Sequence, residues 1–345
     1  GSQTRLREES CQVYREQELN KRKVPSVEVF ESCAEVSALI PEVLGNAING
    51  LNEPDWRAPS PIMWHEPDKI AHGALQTWFR SKGNAAGASE QRQKNLDFIA
   101  RPLAEIAPAK SDHSAQEWTG LVKAAASDRE ADLVGIAKLD QHWVFDGYKA
   151  PWEWIVVVAV AMDYGCLATA PSEKSQTEVH KQYGRATRAG RNLASWMRQQ
   201  GWDAIGHGGP QAGPVLVIPA AIEAGLGELG KHGSLINRQF GSSFRLGYAM
   251  TNMPLVADSP DALNVDDFCK SCQLCDRACP VDAIAPDKQM IRGEHKWYVD
   301  FDKCYYYFIE NNGCGACIGQ CPWSREGVAP RLAKKMSRRA AAKTG

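Results

Sequence analysis

The chain has 345 residues, a formal net charge of −1 and a hydrophobic fraction of 43%, enough to bury one large core and a smaller second one. So even a charge balance offers no broad footprint for nucleic acid, and the longest apolar run, Trp154 to Met162, is too short to span a bilayer. The N-terminal segment is charged and lacks the apolar stretch of a signal peptide, which leaves only a removed leader open.

Residues 1 to about 125 are rich in tryptophan, charge and proline, with loops at Pro59-Ser60-Pro61 and from Gly83 to Ser89. Ala131 to Ala137 predicts a short strand. Trp154 to Met162, continuous and β-branched, predicts a strand buried on both faces. Glu178 to Gln200 predicts a helix: Val179, Tyr183, Ala186, Ala189, Leu193 and Met197 form one apolar stripe, and Gly201 stands at the expected C-cap. Val215 to Ile218 reads as a further buried strand, Ala220 to Leu229 as a short helix or turn, and Phe244 to Met250 as a strand. Strands alternating with helices predict an α/β layer in which helices cover a sheet. The expected organisation is a helical and loop region (1–125) packing on an α/β core (126–257), then a cysteine-rich domain (258–330) and a basic tail (331–345).

Eight of the eleven cysteines lie between Cys269 and Cys321, in two blocks that each end in Cys-Pro. The first is Cys269-x2-Cys272-x2-Cys275-x3-Cys279-Pro280, the second Cys304, a gap, then Cys314-x2-Cys317-x3-Cys321-Pro322. Four thiolates hold a cubane iron–sulfur cluster, and in this run the fourth cysteine ligates the other cluster. The expected sets are therefore Cys269, Cys272, Cys275 and Cys321 for one 4Fe-4S cluster, and Cys279, Cys304, Cys314 and Cys317 for the other. Structural zinc and disulfides remain as alternatives, although zinc favours paired knuckles and disulfides favour short secreted chains. The spacing of Cys304 is the irregular one, and Tyr305 to Phe308 beside it suit a dry coat for a cluster. Cys11, Cys33 and Cys166 are left over, an odd remainder that suits a reducing compartment. The expected location is the cytoplasm, unless a removed leader directed the chain elsewhere. The charges from Lys334 to Lys343 read as a solvated helix end.

Upstream, Ala224 to Gly233 is dense in glycine yet meets neither the Walker nor the dinucleotide pattern. Turn chemistry and a backbone laid against a flat or anionic cofactor are equally good readings of it. Taken with Glu223 to Gly233, the order Leu235-Ile236, Phe240-Gly241, Arg245, Thr251-Asn252-Met253-Pro254-Leu255, the two cysteine blocks and Cys321-Pro322-Trp323 resembles the reductive dehalogenases. The resemblance runs from about Ala131 to Trp323 and includes Asp132-Leu133-Val134-Gly135.

That resemblance implies a corrinoid (cobalamin) held by a nitroreductase-like α/β domain, a ferredoxin-like module with two 4Fe-4S clusters, and removal of halide from an organohalide. It implies that Gly225, Gly227, Glu228, Gly230, Lys231, His232, Gly233, Leu235 and Gly241 bind the corrinoid, with Val215 to Pro219 beside them. No Asp-x-His-x-x-Gly motif is present, so no histidine is expected below the cobalt, and His207 and His232 read as hydrogen-bonding residues. Tyr183 is the candidate proton donor, at the start of its helix, with Tyr164 as rival. Arg245 is the candidate cation that stabilises its phenolate, with Lys231 and Arg238 as rivals. Trp64, Trp78, Trp152 and Trp154 are candidates for an apolar substrate pocket. The implied partners are a halogenated organic substrate and an external low-potential donor, either a ferredoxin or flavodoxin or a membrane partner. Nucleic acid is not expected, and homodimerisation is left open. The related epoxyqueuosine reductases are the alternative, with an electron-transfer or corrinoid-handling protein behind them.

Overall fold

The β-branched run is the middle of the molecule. In the computed structural model, which describes residues 30–209 and 213–344, Leu133–Lys138 (β1) and Trp154–Ala161 (β2) pair antiparallel. Ala204–Gly208 (β3) and Phe244–Thr251 (β4) complete a four-stranded sheet in the order β1-β2-β4-β3, antiparallel throughout. Ile155 to Val160 are fully buried. Alternation along β2 sends Val156 and Val158 into one core and Ile155, Val157 and Ala159 into another. A strand buried on both faces needs cover on both, and here helices supply it.

The first face is covered by a helix longer than the stripe predicts, Glu173–Gln199, and by Ala115–Ser127, which starts with a capping box of Ser114 and Glu117. In chain order Ala86–Ile99 is α1, Ala115–Ser127 α2 and Glu173–Gln199 α3. Ala189, Leu193 and Met197 of α3 pack on Val156, Val158 and Ala249. The approach is close enough that a Cβ on Gly190 would stand 2.7 Å from the carbonyl oxygens of His207 and Tyr248. Gly201, φ +87°, terminates the helix as expected.

The second face carries a correction. Val215 to Ile218 is not a strand: Val215 makes one isolated bridge to Val144, and Val217–Glu223 is a helix (α4). A short apolar run does not distinguish a strand from a buried helix. Pro219 sits in the first helical turn, where its missing N–H costs no hydrogen bond, and Ala220 and Ala221 then bury against the sheet.

The cysteine region follows as short helices: Val265–Ser271 (α5), Leu274–Arg277 (α6), Phe301–Glu310 (α7), Ala316–Gln320 (α8) and Ala329–Thr344 (α9). Ala333 and Met336 of α9 share a core with Cys269, Cys321 and Trp323. Residues 30–85 pack on α7 as well: Val36, Leu75 and Phe79 meet Tyr305 and Ile309, and the Asp302 carboxylate accepts the N–H groups of Gly45 and Asn46. Cys11 lies outside the described residues. Among those described, no helix is long and apolar enough to cross a membrane.

Candidate functional site

The short helices bring the eight cysteines into two groups. Cys275 feels Cys321, Cys269 and Cys272, while Cys321 feels Cys269 and Cys272. Cys304 feels Cys314 and Cys279, and Cys317 feels Cys314, Cys304 and Cys279. Cys275 also acts on Cys317, so the groups abut. Burial, helped by neighbouring thiols, pushes Cys275 and Cys304 up to about 12, and burial pushes Cys321 to about 12 and Cys269 and Cys314 to about 11. Bare thiols there stay protonated, and a cationic metal core is what draws such sulfurs into the thiolate form. The ten described cysteines are all free of disulfides. Among the described residues no three His, Cys, Asp or Glu side chains converge on a single metal ion. The four thiolates of a cubane bind separate irons and stand further apart than ligands of one ion.

The glycine-rich stretch serves the first group. Lys231 is 2% exposed, its Nζ donates to the Cys272 carbonyl at 3.1 Å, and its backbone N–H bonds Cys269. The Glu228 carboxylate accepts the N–H groups of Leu263, Asn264 and Val265 at 2.7, 3.1 and 2.7 Å, fixing the start of α5. A Cβ on Gly227 would stand 2.2 Å from the Ile236 carbonyl oxygen, and one on Gly241 1.9 Å from that of Trp323. Gly241 thus lets the α/β core and the cysteine region approach, while Gly227 lets its own hairpin close. Of the residues expected to bind the corrinoid, only His232 lines the cavity described next; Gly225, Gly227, Glu228, Gly230, Lys231, Gly233, Leu235 and Gly241 are not among its lining residues.

That cavity encloses about 1100 Å3 of space, part of it open to solvent. Cys279, Cys304, Cys314 and Cys317 form one wall. The upper part of the α3 stripe forms another, where Val179 and Tyr183 leave the sheet core and His180 joins them; Arg245 of β4 stands alongside. Trp64, Phe79, Tyr307 and Phe308 supply aromatic surface.

Tyr183 lies about three turns into α3 rather than at its start, because the helix begins at Glu173, capped by Ser172. The Arg245 guanidinium carbon stands 5.1 Å from the Tyr183 ring centroid. The His180 ring meets Tyr183 edge-on, centroids 6.1 Å apart. Burial, then the charges of Arg92 and Arg245, bring His180 down to about 4. His180 Nδ1 and Arg245 Nε are buried and find no hydrogen-bond partner among the described residues. His180 and Arg92 escaped the sequence reading; the three-residue step from His180 to Tyr183 was the signal that they share a helix face.

His232 is also brought down to about 4 by burial. Its Nδ1 accepts the Ser234 N–H at 3.2 Å, which assigns the proton to Nε2, and that nitrogen faces the Ser242 hydroxyl at 3.2 Å. Both ring nitrogens are engaged. The other candidates lie elsewhere. Tyr164 donates to the Gly319 carbonyl, Arg238 pairs with Asp261, and His207 packs on Tyr248. Trp78 and Trp152 donate to Glu35 and Asp203, Trp154 packs on the sheet core, and only Trp64 of the four tryptophans reaches the cavity.

An α/β layer and a paired four-cysteine region sharing one cavity define a two-cluster iron–sulfur protein with a second functional domain. Residues 268–324 match the family described as 4Fe-4S dicluster domain. The tetrachloroethene reductive dehalogenase of Sulfurospirillum multivorans is 29% identical over 260 residues, covering 61% of this chain and 51% of the relative. Epoxyqueuosine reductase of Synechocystis sp. is 28% identical over 234 residues, covering 55% and 75%. A solved reductive dehalogenase, described as suggesting a mechanism for B12-dependent dehalogenation, aligns with a TM-score of 0.66 at 25% identity, over 74% of this chain and 39% of that one. In sequence and in fold the chain is similar to reductive dehalogenases. It spans about half the length of the dehalogenase from Sulfurospirillum multivorans.

Proposed function

We propose that this chain removes halide from an organohalide, R–X + 2 e− + H+ → R–H + X−, with a corrinoid in the cavity and a 4Fe-4S cluster on each cysteine group. The observation that carries the reading is the shared cavity, with Cys279, Cys304, Cys314 and Cys317 on one wall and Tyr183, His180 and Arg245 on another. The residues fit a corrinoid: the cavity is large, largely apolar, and holds buried polar atoms at His180 Nδ1 and Arg245 Nε that lack a protein partner. His232, Ser234, Ala170 and Gly315 would hold it. With its nitrogens engaged, His232 is not free as an axial ligand. When bound, the corrinoid supplies the metal-centred reduction that breaks the carbon–halogen bond.

Tyr183 gives its phenolic proton to the carbon that loses halide. Arg245, face-on to the ring, favours the phenolate left behind. His180, neutral above about pH 4, presents an unpartnered nitrogen through which a proton returns to the site. The aromatic wall excludes water and accepts the apolar body of the substrate. Electrons arrive from a low-potential donor at the Cys269 group and leave through the group on the cavity wall. On this reading residues 126–257 are a nitroreductase-like corrinoid-binding core and 258–330 the ferredoxin-like domain. An epoxyqueuosine reductase is expected to carry an Asp beside its Tyr-His pair; here Gln182 is the neighbour of Tyr183.

The test is corrinoid binding, followed by halide release from a panel of chlorinated ethenes, halophenols and fluorinated compounds under a strong reductant. Protein that takes up no corrinoid, or releases no halide from any of them, overturns the proposal.

A further inference from the structure

Lys231 is a buried cation without an anion. It is 2% exposed, and no carboxylate lies within ion-pair range of it among the described residues. Its Nζ has two neighbours, the Cys272 carbonyl oxygen at 3.1 Å and the Trp297 ring centroid at 5.0 Å. Asp266, whose charge acts on Cys269, is taken by Lys288 at 2.8 Å and Lys270 at 3.1 Å, and it also accepts from Trp297 Nε1 at 2.9 Å. Burying an ammonium without a counter-charge is costly. Among the described residues, the acid-forming group on which its charge and its backbone N–H both act is the Cys269 thiol.

We infer that Lys231 is the counter-ion of the cluster held by Cys269, Cys272, Cys275 and Cys321, and that its charge raises the reduction potential of that cluster alone. This rests on the two-cluster reading above. One-electron reduction adds one negative charge to the cluster and takes up no proton, so a fixed cation nearby stabilises the reduced form more than the oxidised one. Among the described residues no cation is recorded acting on Cys304, Cys314 or Cys317 of the other group: these cysteines line the cavity, where Arg245 faces Tyr183 instead. Lys231 thus makes the cluster of Cys269, Cys272, Cys275 and Cys321 the easier of the two to reduce.

The experiment is a redox titration of each cluster by electron paramagnetic resonance, on the full chain reconstituted with iron and sulfide, without corrinoid or substrate. In Lys231→Met the ratio of reduced to oxidised form of one cluster at a fixed potential falls about tenfold, equivalent to about 59 mV for a one-electron couple, while the other cluster is unmoved. Lys231→Gln keeps a donor for the Cys272 carbonyl without the charge and must shift in the same direction; Lys231→Arg must retain most of the native potential. Lys288→Met, a cation of the same neighbourhood already paired with Asp266, should move neither cluster appreciably. Both clusters present with unchanged potentials in Lys231→Met and Lys231→Gln overturn the inference, as does a shift in Met that Gln does not share. A native chain that assembles no clusters overturns the reading beneath it, which iron content and absorption reveal before any titration.

Discussion

The two cysteine groups abut and use the same chemistry, yet their surroundings differ in kind. The Cys269 group is backed by the glycine-rich stretch, with Lys231 sealed against it and Ala333 and Met336 of α9 packed over Cys269 and Cys321. The Cys304 group faces the cavity, across from Tyr183 and Arg245. On the proposed reading, the first group takes up the electron and the second passes it on. The difference between the two groups thus lies in the residues behind the cysteines, a buried cation on one side and a cavity on the other.

Replacing a cysteine tests that division most severely. Cys321→Ala should empty the site shared with Cys269, Cys272 and Cys275 and abolish halide release, although Cys321 belongs to the second sequence block. Iron content with electron paramagnetic resonance reads the result; loss of the Cys304 group's cluster instead would show that the blocks do not cross over. Next in size, Tyr183→Phe should lower halide release by about 10²–10⁴ while both clusters and the corrinoid remain bound, since the phenol touches the cavity and neither cysteine group. Near-native turnover of Tyr183→Phe would remove the tyrosine from the chemistry and leave Arg245 without the role assigned to it.

A smaller effect concerns the α/β side alone. His180, His207 and His232 are each brought down to about 4 by burial, whereas an unfolded histidine titrates near 6.5. Between those values the unfolded chain binds more protons than the folded one, so stability is full above about pH 6.5 and falls as the pH is lowered towards 4. Denaturant midpoints measured from pH 7.5 to 4.5 should decline across that window, and His207→Phe, which removes one of the three without touching the cavity wall, should flatten the decline. A midpoint independent of pH would mean that these rings are hydrated in solution.

The cysteine spacing foretold the grouping because each thiolate must reach one small object, which ties sequence distance to spatial distance. The β-branched run and the stripe of α3 were legible for a similar reason: burial imposes a period. The stripe did not say where the core ends. Ala186, Ala189, Leu193 and Met197 meet the sheet, but Val179 and Tyr183, in the same phase, look into a cavity. Phase along a helix does not report what lies opposite. The glycine-rich stretch is ambiguous in the same way. Glycine marks a close approach without naming the partner, and here the partner is the Cys269 group and the cysteine-region backbone rather than the cavity. Val215 to Ile218 failed because four apolar residues carry no period at all.

The smallest expected effect separates the two ends of α3. Ser172 caps the cavity end: its Oγ accepts the Ser175 N–H at 3.1 Å, and Ser175 Oγ accepts the Ser172 N–H at 3.2 Å. Ser172→Ala should cost about 1 kcal/mol of stability, the ordinary worth of such a cap, measured as a shift in denaturant midpoint without a change in slope. Tyr183 lies about three turns further on, at the level where Ala186 and Ala189 begin to grip the sheet, so fraying of the first turn should leave its ring under Arg245. Halide release per folded molecule should then be unchanged. If Ser172→Ala instead reduced turnover in proportion to stability, the cap would be coupled to the proton donor, and the division of α3 into a capped cavity end and an anchored core end would fail.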